Sequence, residues 1–211
     1  MIKRIIPVCV LLITASLLLW GATVIGVDAD NRDAYFDNNA EYLEFGNTLY
    51  IGNNGTPNNL QGGLEFQITG PVSGDIIDSA VLSVVRSNSG PTTIRVYGAD
   101  VDNAAVFNAG HTHMAIDHFG AFTTAYVEWT ITTAAGYQDS PDVKTVMQQI
   151  INRAGFASGN YIGFILDGAN ATNGEFIGIA DYTYGAGSSV AKLTYSYTVA
   201  STGGHRTVVV F

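Results

Sequence analysis

Cysteine is all but missing. The single Cys9 of this 211-residue chain lies inside an N-terminal apolar run, so the remainder has no thiol, no disulfide and no cysteine metal cluster. A chain of this length closes a core without a covalent staple. Charge is scarce too, at 13%, and the formal net charge is −9. Residues 30–211 hold 7 basic and 17 acidic side chains, which excludes nucleic-acid binding through a basic surface. G-x-S-x-G, H-E-x-x-H and a phosphate-binding glycine loop are all absent. The glycine-rich stretch 183–189 falls between strands, not before a helix, and reads as a loop. Glu65, Glu128 and Glu175 sit on alternating strands where an outward acid is ordinary, so they make no case for paired-carboxylate hydrolysis. A non-catalytic chain is expected.

What is present is apolar and glycine-rich. Apolar residues make up 47%, with 24 glycines and 11 tyrosines, a composition that buries a sizeable core and suits an exposed all-β protein. Thr48–Ile51, Leu64–Ile68, Ile76–Val85, Thr92–Gly98, Ala125–Ile131, Glu175–Ile179 and Val190–Tyr197 read as short strands separated by turn signals. Tyr161–Leu166 is apolar throughout and reads as a strand buried on both faces. One amphipathic helix is expected over about residues 141–153. Ser140 is its cap, Pro141 its first residue and Asp142 the acid of its first turn. Val143, Val146, Met147, Ile150 and Ile151 form one stripe, Lys144, Gln148, Gln149 and Asn152 the polar side, and Gly155 the stop. The fold class is all-β, a jelly-roll-like β-sandwich with one helix laid across it. Asp30–Asn39 reads as polar and turn-rich, and Asp100–Thr124 as the least ordered stretch.

Three units follow. Residues 1–29 have a short basic start at Lys3-Arg4, then an apolar run from Ile5 to Trp20, then small residues. Val27-Asp28-Ala29 fits small-x-small cleavage of a signal peptide; the uncharged Ile5–Val27 is also long enough for a membrane anchor, and a hydrophobic arm packed in a neighbouring subunit is the third reading. Residues 30–199 are the sandwich. Residues 200–211 are a tail with a Gly203-Gly204 hinge and the apolar end Thr207–Phe211, which could add as a strand to a neighbour's sheet edge.

Several motifs coincide in order: Thr48-Leu49-Tyr50-Ile51-Gly52, Gly63-Leu64-Glu65-Phe66, Gly74–Leu82, Val127-Glu128-Trp129, Ser140-Pro141-Asp142, Gly159-Asn160 and Ala191–Tyr195. Over roughly residues 31–198 the chain resembles the DNRLRE-type secreted β-sandwich domains, a group akin to polysaccharide-binding modules of bacterial surface proteins. The resemblance implies a jelly-roll-like module without catalytic machinery, used for surface display or adhesion. A single domain is expected here, in place of the long multidomain setting usual for that group.

The function expected is an exported or surface-displayed structural or adhesive subunit engaged in protein–protein assembly, extracellular, at the cell surface or in a virion. The alternative is a carbohydrate-binding module. Self-assembly or other protein partners are expected, polysaccharide is the alternative ligand, and membrane contact would run only through the N-terminal segment. Tyr35, Phe36, Tyr42, Tyr182 and Tyr184 lie in or beside loops, where aromatic rings stack on sugars or serve protein interfaces; Trp129 reads as core. Asp28, Asp30, Asn31 and Asp33 form a D-x-D-N-x-D cluster of oxygen ligands of the kind calcium takes, without the glycine and distant glutamate of an EF-hand. His111, His113 and Asp117, with His118 beside them, are the second metal candidate, two histidines at i, i+2 sharing a strand face. No other cofactor is expected. Asn54-Gly-Thr56 and Asn170-Ala-Thr172 match glycosylation sequons.

Overall fold

The computed structural model describes residues 22–37, 43–44, 47–55, 58–107, 115–168 and 171–200. Cys9, most of the N-terminal apolar run, Tyr42, His111, His113, Asn170 and the tail beyond Ala200 lie outside the described residues. The fold is all-β and sandwich-like. Its strands are β1 (Thr23–Gly26), β2 (Asp33–Asp37), β3 (Leu43–Glu44), β4 (Thr48–Gly55), β5 (Asn58–Gln67), β6 (Ile76–Ser89), β7 (Thr92–Gly98), β8 (Val127–Ile131), β9 (Tyr137–Asp139), β10 (Tyr161–Asp167), β11 (Phe176–Ala180) and β12 (Lys192–Thr198). A short turn of helix, α1 (Ala115–Phe119), precedes β8, and α2 (Lys144–Ile151) follows β9.

The strands join in one antiparallel network, ordered β1-β12-β6-β11-β4-β5-β10-β7-β8. Strand β6 is why the two halves are continuous: its Ile76–Ser83 portion pairs with β12, and its Arg86–Ser89 portion with β11. The sheet curls around one core. Leu49, Ile51, Leu64, Phe66, Leu82, Val84, Ile94, Val96, Phe164, Ile177, Ile179, Leu193 and Tyr195 all belong to a single buried cluster, as period-two patterning with one face inward requires.

Helix α2 closes this core. Val146, Met147, Ile150 and Ile151 are its buried residues, the expected stripe, and it packs on β6 and β7. Gly98 makes the approach close, since a Cβ there would lie 2.6 Å from Ile150 Cδ1. The start of the helix differs from expectation. Ser140 does not cap it, because Ser140 Oγ accepts the Leu82 N–H at 3.0 Å and the chain runs on beside β6, with Val143 N donating to Ala80 O at 2.8 Å. Asp142 takes the terminal role, its Oδ1 accepting the Lys144 N–H at 2.9 Å and also the Ala80 N–H at 3.0 Å. The polar side is not idle. Gln148 accepts from Ile77 N at 2.7 Å and donates to Asp75 O at 2.9 Å, while Gln149 Oε1 accepts from Ala125 N at 3.1 Å.

Two stretches, one read as turn-rich and the other as the least ordered, are structural. Asp30–Asn39 contains β2, which pairs with β5 from Asp33↔Leu64 to Asp37↔Leu60. The connection after β7 lies across the outer face of β5 and β10. Its Ala99 N donates to Gly163 O at 2.8 Å, Ala104 N to Tyr161 O at 2.9 Å and Phe107 N to Asn31 O at 3.1 Å. Ala34, Phe36, Ala99, Ala104, Phe107, Ala115, Phe119 and Ile165 form a second buried cluster beneath it. Gly63 is fitted to this cover: a Cβ there would fall 2.6 Å from the Phe107 ring. Arg153 anchors the connection to the end of α2 through Asp100 at 2.6 Å and Asp102 at 2.7 Å. Strand β10 is therefore buried on both faces, as expected.

The N-terminal boundary also moves. Residues 23–29, assigned by sequence to the separable segment, contribute β1, which pairs with β12 from Thr23↔Tyr195 to Gly26↔Lys192, and the buried Val27. Cleavage after Ala29 would remove both.

Ile150→Ala should cost about 2–5 kcal/mol in urea denaturation, as other large-to-small core changes do. Gln148→Ala should cost about 1–3 kcal/mol by leaving the buried Ile77 N–H unpaired. Lys144→Ala, at an exposed position, should stay within about 0.5 kcal/mol. Equal losses from all three would contradict this placement of the helix.

Candidate functional site

Strand β2 has two faces with different chemistry. Asp33, Tyr35 and Asp37 alternate with Ala34 and Phe36 along it, so the first three project one way and the other two the opposite way. Ala34 and Phe36 enter the second cluster, where Phe36 meets Phe107 edge to face at 5.8 Å. Phe36 is fully buried, so it supports the cover and is not open to a ligand as expected from sequence.

The other face of β2 opens on a fork in the sheet. At Leu60 strand β5 is paired on one edge with Asp37 of β2 and on the other with Gly52 of β4; from Gln61 onward β10 replaces β4 on that second edge, while β2 stays on the first as far as Leu64. At the point of exchange lies a pocket of about 360 Å³ lined by Tyr35, Asp37, Tyr50, Asn54, Leu60 and Phe176. Its aromatic wall is a chain of edge-to-face contacts: Tyr35 to Tyr50 at 5.6 Å, then Tyr50 to Phe176 at 6.0 Å. Such contacts fix the rings without stacking away their faces. Asn88 Nδ2 donates to the Tyr50 hydroxyl at 3.1 Å. A carboxylate and an amide stand beside the rings, so the pocket offers apolar surface together with hydrogen-bonding groups.

The start of β2 carries an acidic group. Carboxylate oxygens of Asp30, Asp33 and Asp181 all lie within 4.8 Å of one another. Asp30 is exposed, while Asp33 and Asp181 are each 1% exposed. Asp181 is held by its own turn: the Thr183 and Tyr184 amides donate to Oδ1, both at 2.9 Å, and Thr183 Oγ1 donates to Oδ2 at 3.2 Å. Burial raises the Asp33 carboxyl to about 8, with the charges of Asp181 and Asp30 adding to the rise against a hydrogen bond from the Tyr182 backbone. Asp181 is raised as well, chiefly by burial. Asp33 Oδ2 is buried without a hydrogen-bond partner.

Two of the four acids and amides expected for calcium, Asp30 and Asp33, thus come together, and Asp181, 148 positions beyond Asp33, joins them. Asp28 goes elsewhere, accepting from the Tyr161 hydroxyl at 2.9 Å. Asn31 is exposed, and its carbonyl is taken by Phe107 N. Of the second metal candidate, His111 and His113 are outside the described residues, and Asp117 falls in α1. His118 reaches Ala105 O at 3.0 Å and packs against the Phe107 and Phe119 rings at 4.9 and 4.6 Å. Tyr182 packs on the main core and Tyr184 opens a short 3₁₀ turn after Asp181; neither lines the pocket. Tyr50 and Phe176, which do, carried no signal in the sequence beyond membership of alternating strands.

Glu65 departs furthest from expectation. It is not an outward acid. It is fully buried beneath the cover, with Arg32 Nη1 at 2.6 Å from Oε2, and Arg32 lies over the Tyr161 ring at 3.5 Å from its centroid. Burial pushes the Glu65 carboxyl up to about 8; the Arg32 hydrogen bond and charge pull down, and Asp28 pushes up. A carboxyl sealed in this way positions Arg32 and has no path to a substrate.

Comparison with known proteins finds no family model that matches the chain and no curated protein that matches its sequence. Among the described residues no helix is long and apolar enough to cross a membrane.

The raised Glu65 value gives a signed pH effect. The folded protein retains a proton that the unfolded chain releases, so stability is greatest below the ordinary value of 4.5 and declines as pH rises through about 8. Full linkage for such a shift is at most about 4–5 kcal/mol. Glu65→Gln, neutral throughout, should remove the Glu65 share of that decline in denaturation measured from pH 4.5 to 8.5, leaving the share of Asp33, which burial raises to a similar value. An unchanged slope would show that Glu65 does not titrate in this range.

Proposed function

We propose that this chain is a non-catalytic binding module, exported or displayed at a surface, whose pocket over β2, β5 and β4 takes a carbohydrate. The observation that carries this reading is the pocket lining: Tyr35, Tyr50 and Phe176 beside Asp37 and Asn54. A sugar ring presents a flat C–H face and a rim of hydroxyls. The first suits aromatic rings, and the second suits a carboxylate and an amide. The resemblance to polysaccharide-binding surface modules points the same way. The low overall charge and the scarcity of basic residues favour neutral glycans over acidic ones.

Assembly with other copies is the second reading, and one feature favours it. Strand β1 stands at the end of the strand order, and its Val24 is 60% exposed, an apolar side chain on an edge that could pair with another chain.

The two readings separate by experiment. In affinity electrophoresis against neutral and acidic polysaccharides, Tyr35→Ala and Tyr50→Ala should weaken retardation about tenfold or more, equivalent to ~1.4 kcal/mol, while Tyr184→Ala leaves it unchanged. Circular dichroism checks that each variant stays folded. Absence of binding to every polysaccharide, together with an oligomer by light scattering that Val24→Lys reduces to a monomer, would favour assembly instead.

A further inference from the structure

We propose that Asp30, Asp33 and Asp181 bind one divalent cation, calcium by preference, and that the ion ties the start of β2 to the end of β11. The three carboxylates meet within 4.8 Å. Three oxygens at that limit have a common centre about 2.8 Å from each, so a shift of a few tenths of an ångström brings all three to the 2.3–2.6 Å of a calcium–oxygen bond. The cluster alone would be ordinary surface acidity. What sets it apart is Asp33, 1% exposed, with an Oδ2 that is buried and lacks any hydrogen-bond partner. A buried carboxylate oxygen left unpaired beside two further carboxylates is costly, and a cation supplies both the missing partner and the missing charge.

The rest of the geometry fits a hard cation of irregular coordination. Asp181 is prearranged, because the Thr183 and Tyr184 amides and the Thr183 hydroxyl already hold its carboxylate in place. Asp30 is exposed on the 3₁₀ turn Asp30–Arg32, which leaves one side of the site open to water ligands. Calcium takes six to eight oxygens and tolerates a mixed set of carboxylates and waters, whereas magnesium demands a near-ideal octahedron. The donors are all oxygen, with no thiol or imidazole among them, which argues against zinc or copper.

The consequence is mechanical. Asp33 and Tyr35 project from the same face of β2, two residues apart, so an ion on Asp33 fixes the strand that carries the aromatic wall of the pocket. The cation site does not depend on what that pocket binds.

The test uses the full chain stripped with a chelator. About 1 mM CaCl₂ should raise Tm by about 5–10 °C with single-site saturation, and the same concentration of MgCl₂ should raise it less. Asp33→Asn and Asp181→Asn should abolish the rise, whereas Asp28→Asn, near in sequence but outside the cluster, should keep it. Terbium luminescence sensitised by the neighbouring tyrosines, displaced by calcium, reports binding directly in the wild type should either variant fail to fold. No calcium-dependent rise and no displaceable terbium signal in the wild type would overturn the proposal. So would a rise that persists in both Asp33→Asn and Asp181→Asn.

Discussion

Strand β5 is buried on both faces, and the rest of the molecule follows from how those faces are covered. Its core face carries Leu60, Gly62, Leu64, Phe66 and, just past the strand, Ile68; its outer face carries Gln61, Gly63 and Glu65. A strand in that position needs a second layer, and the connection after β7 supplies it with Phe107, Ala115 and Phe119. Gly63 leaves room for the Phe107 ring, and Gln61 Oε1 accepts the Ala115 N–H at 3.0 Å. Two of its polar side chains are tied to neighbouring elements as well, although Glu65 Oε1 is left without a hydrogen-bond partner. Gln61 Nε2 donates to Asp167 at 2.8 Å, and Arg32 meets Glu65. The cover is thus held by apolar contact and by a few directed polar bonds in a low-dielectric layer, where each such bond counts for more than at the surface.

The same strand creates the site. Flanked by β2 on one edge, β5 exchanges β4 for β10 on the other just past Leu60, and the pocket there is walled by the side chains that β2, β4 and β11 present. Strand β2 presents Asp33, Tyr35 and Asp37. The acidic group and the aromatic pocket therefore arise from one five-residue strand whose opposite face is locked into the second cluster through Ala34 and Phe36. A rigid strand carrying functional groups on its free face is a more exact support than a loop.

How much of this was legible in the sequence depended on periodicity. The stripe Val146, Met147, Ile150, Ile151 and the alternation in β6, β7, β8 and β12 were readable because one face of each is buried and the other is not. Strand β2 was not. Its sequence Asp-Ala-Tyr-Phe-Asp places polar groups on a face that lines a site, so the usual apolar alternation is missing. Glu65 was misread for the complementary reason: its alternation with Leu64 and Phe66 is that of a half-buried strand, and nothing local reveals that a segment 40 residues later covers it. Ser140 had the right chemistry for a cap but was taken by Leu82, a long-range competitor. Asp30 and Asp33 could be named as candidate oxygen ligands from their spacing, and the fold brings their carboxylates together. Asp181 could not, since only the placement of β11 brings it near.

The account's central claim is that the free face of β2 and its neighbours across the fork form the ligand site. Titration of isotopically labelled protein with neutral oligosaccharides of cellulose, xylan and galactan type, followed by amide and aromatic NMR shifts, tests it most directly. Perturbations confined to Tyr35, Asp37, Tyr50, Asn54 and Phe176 are predicted for at least one of these. Perturbations that instead cluster at β1 around Val24, or none with any of the three, would contradict it.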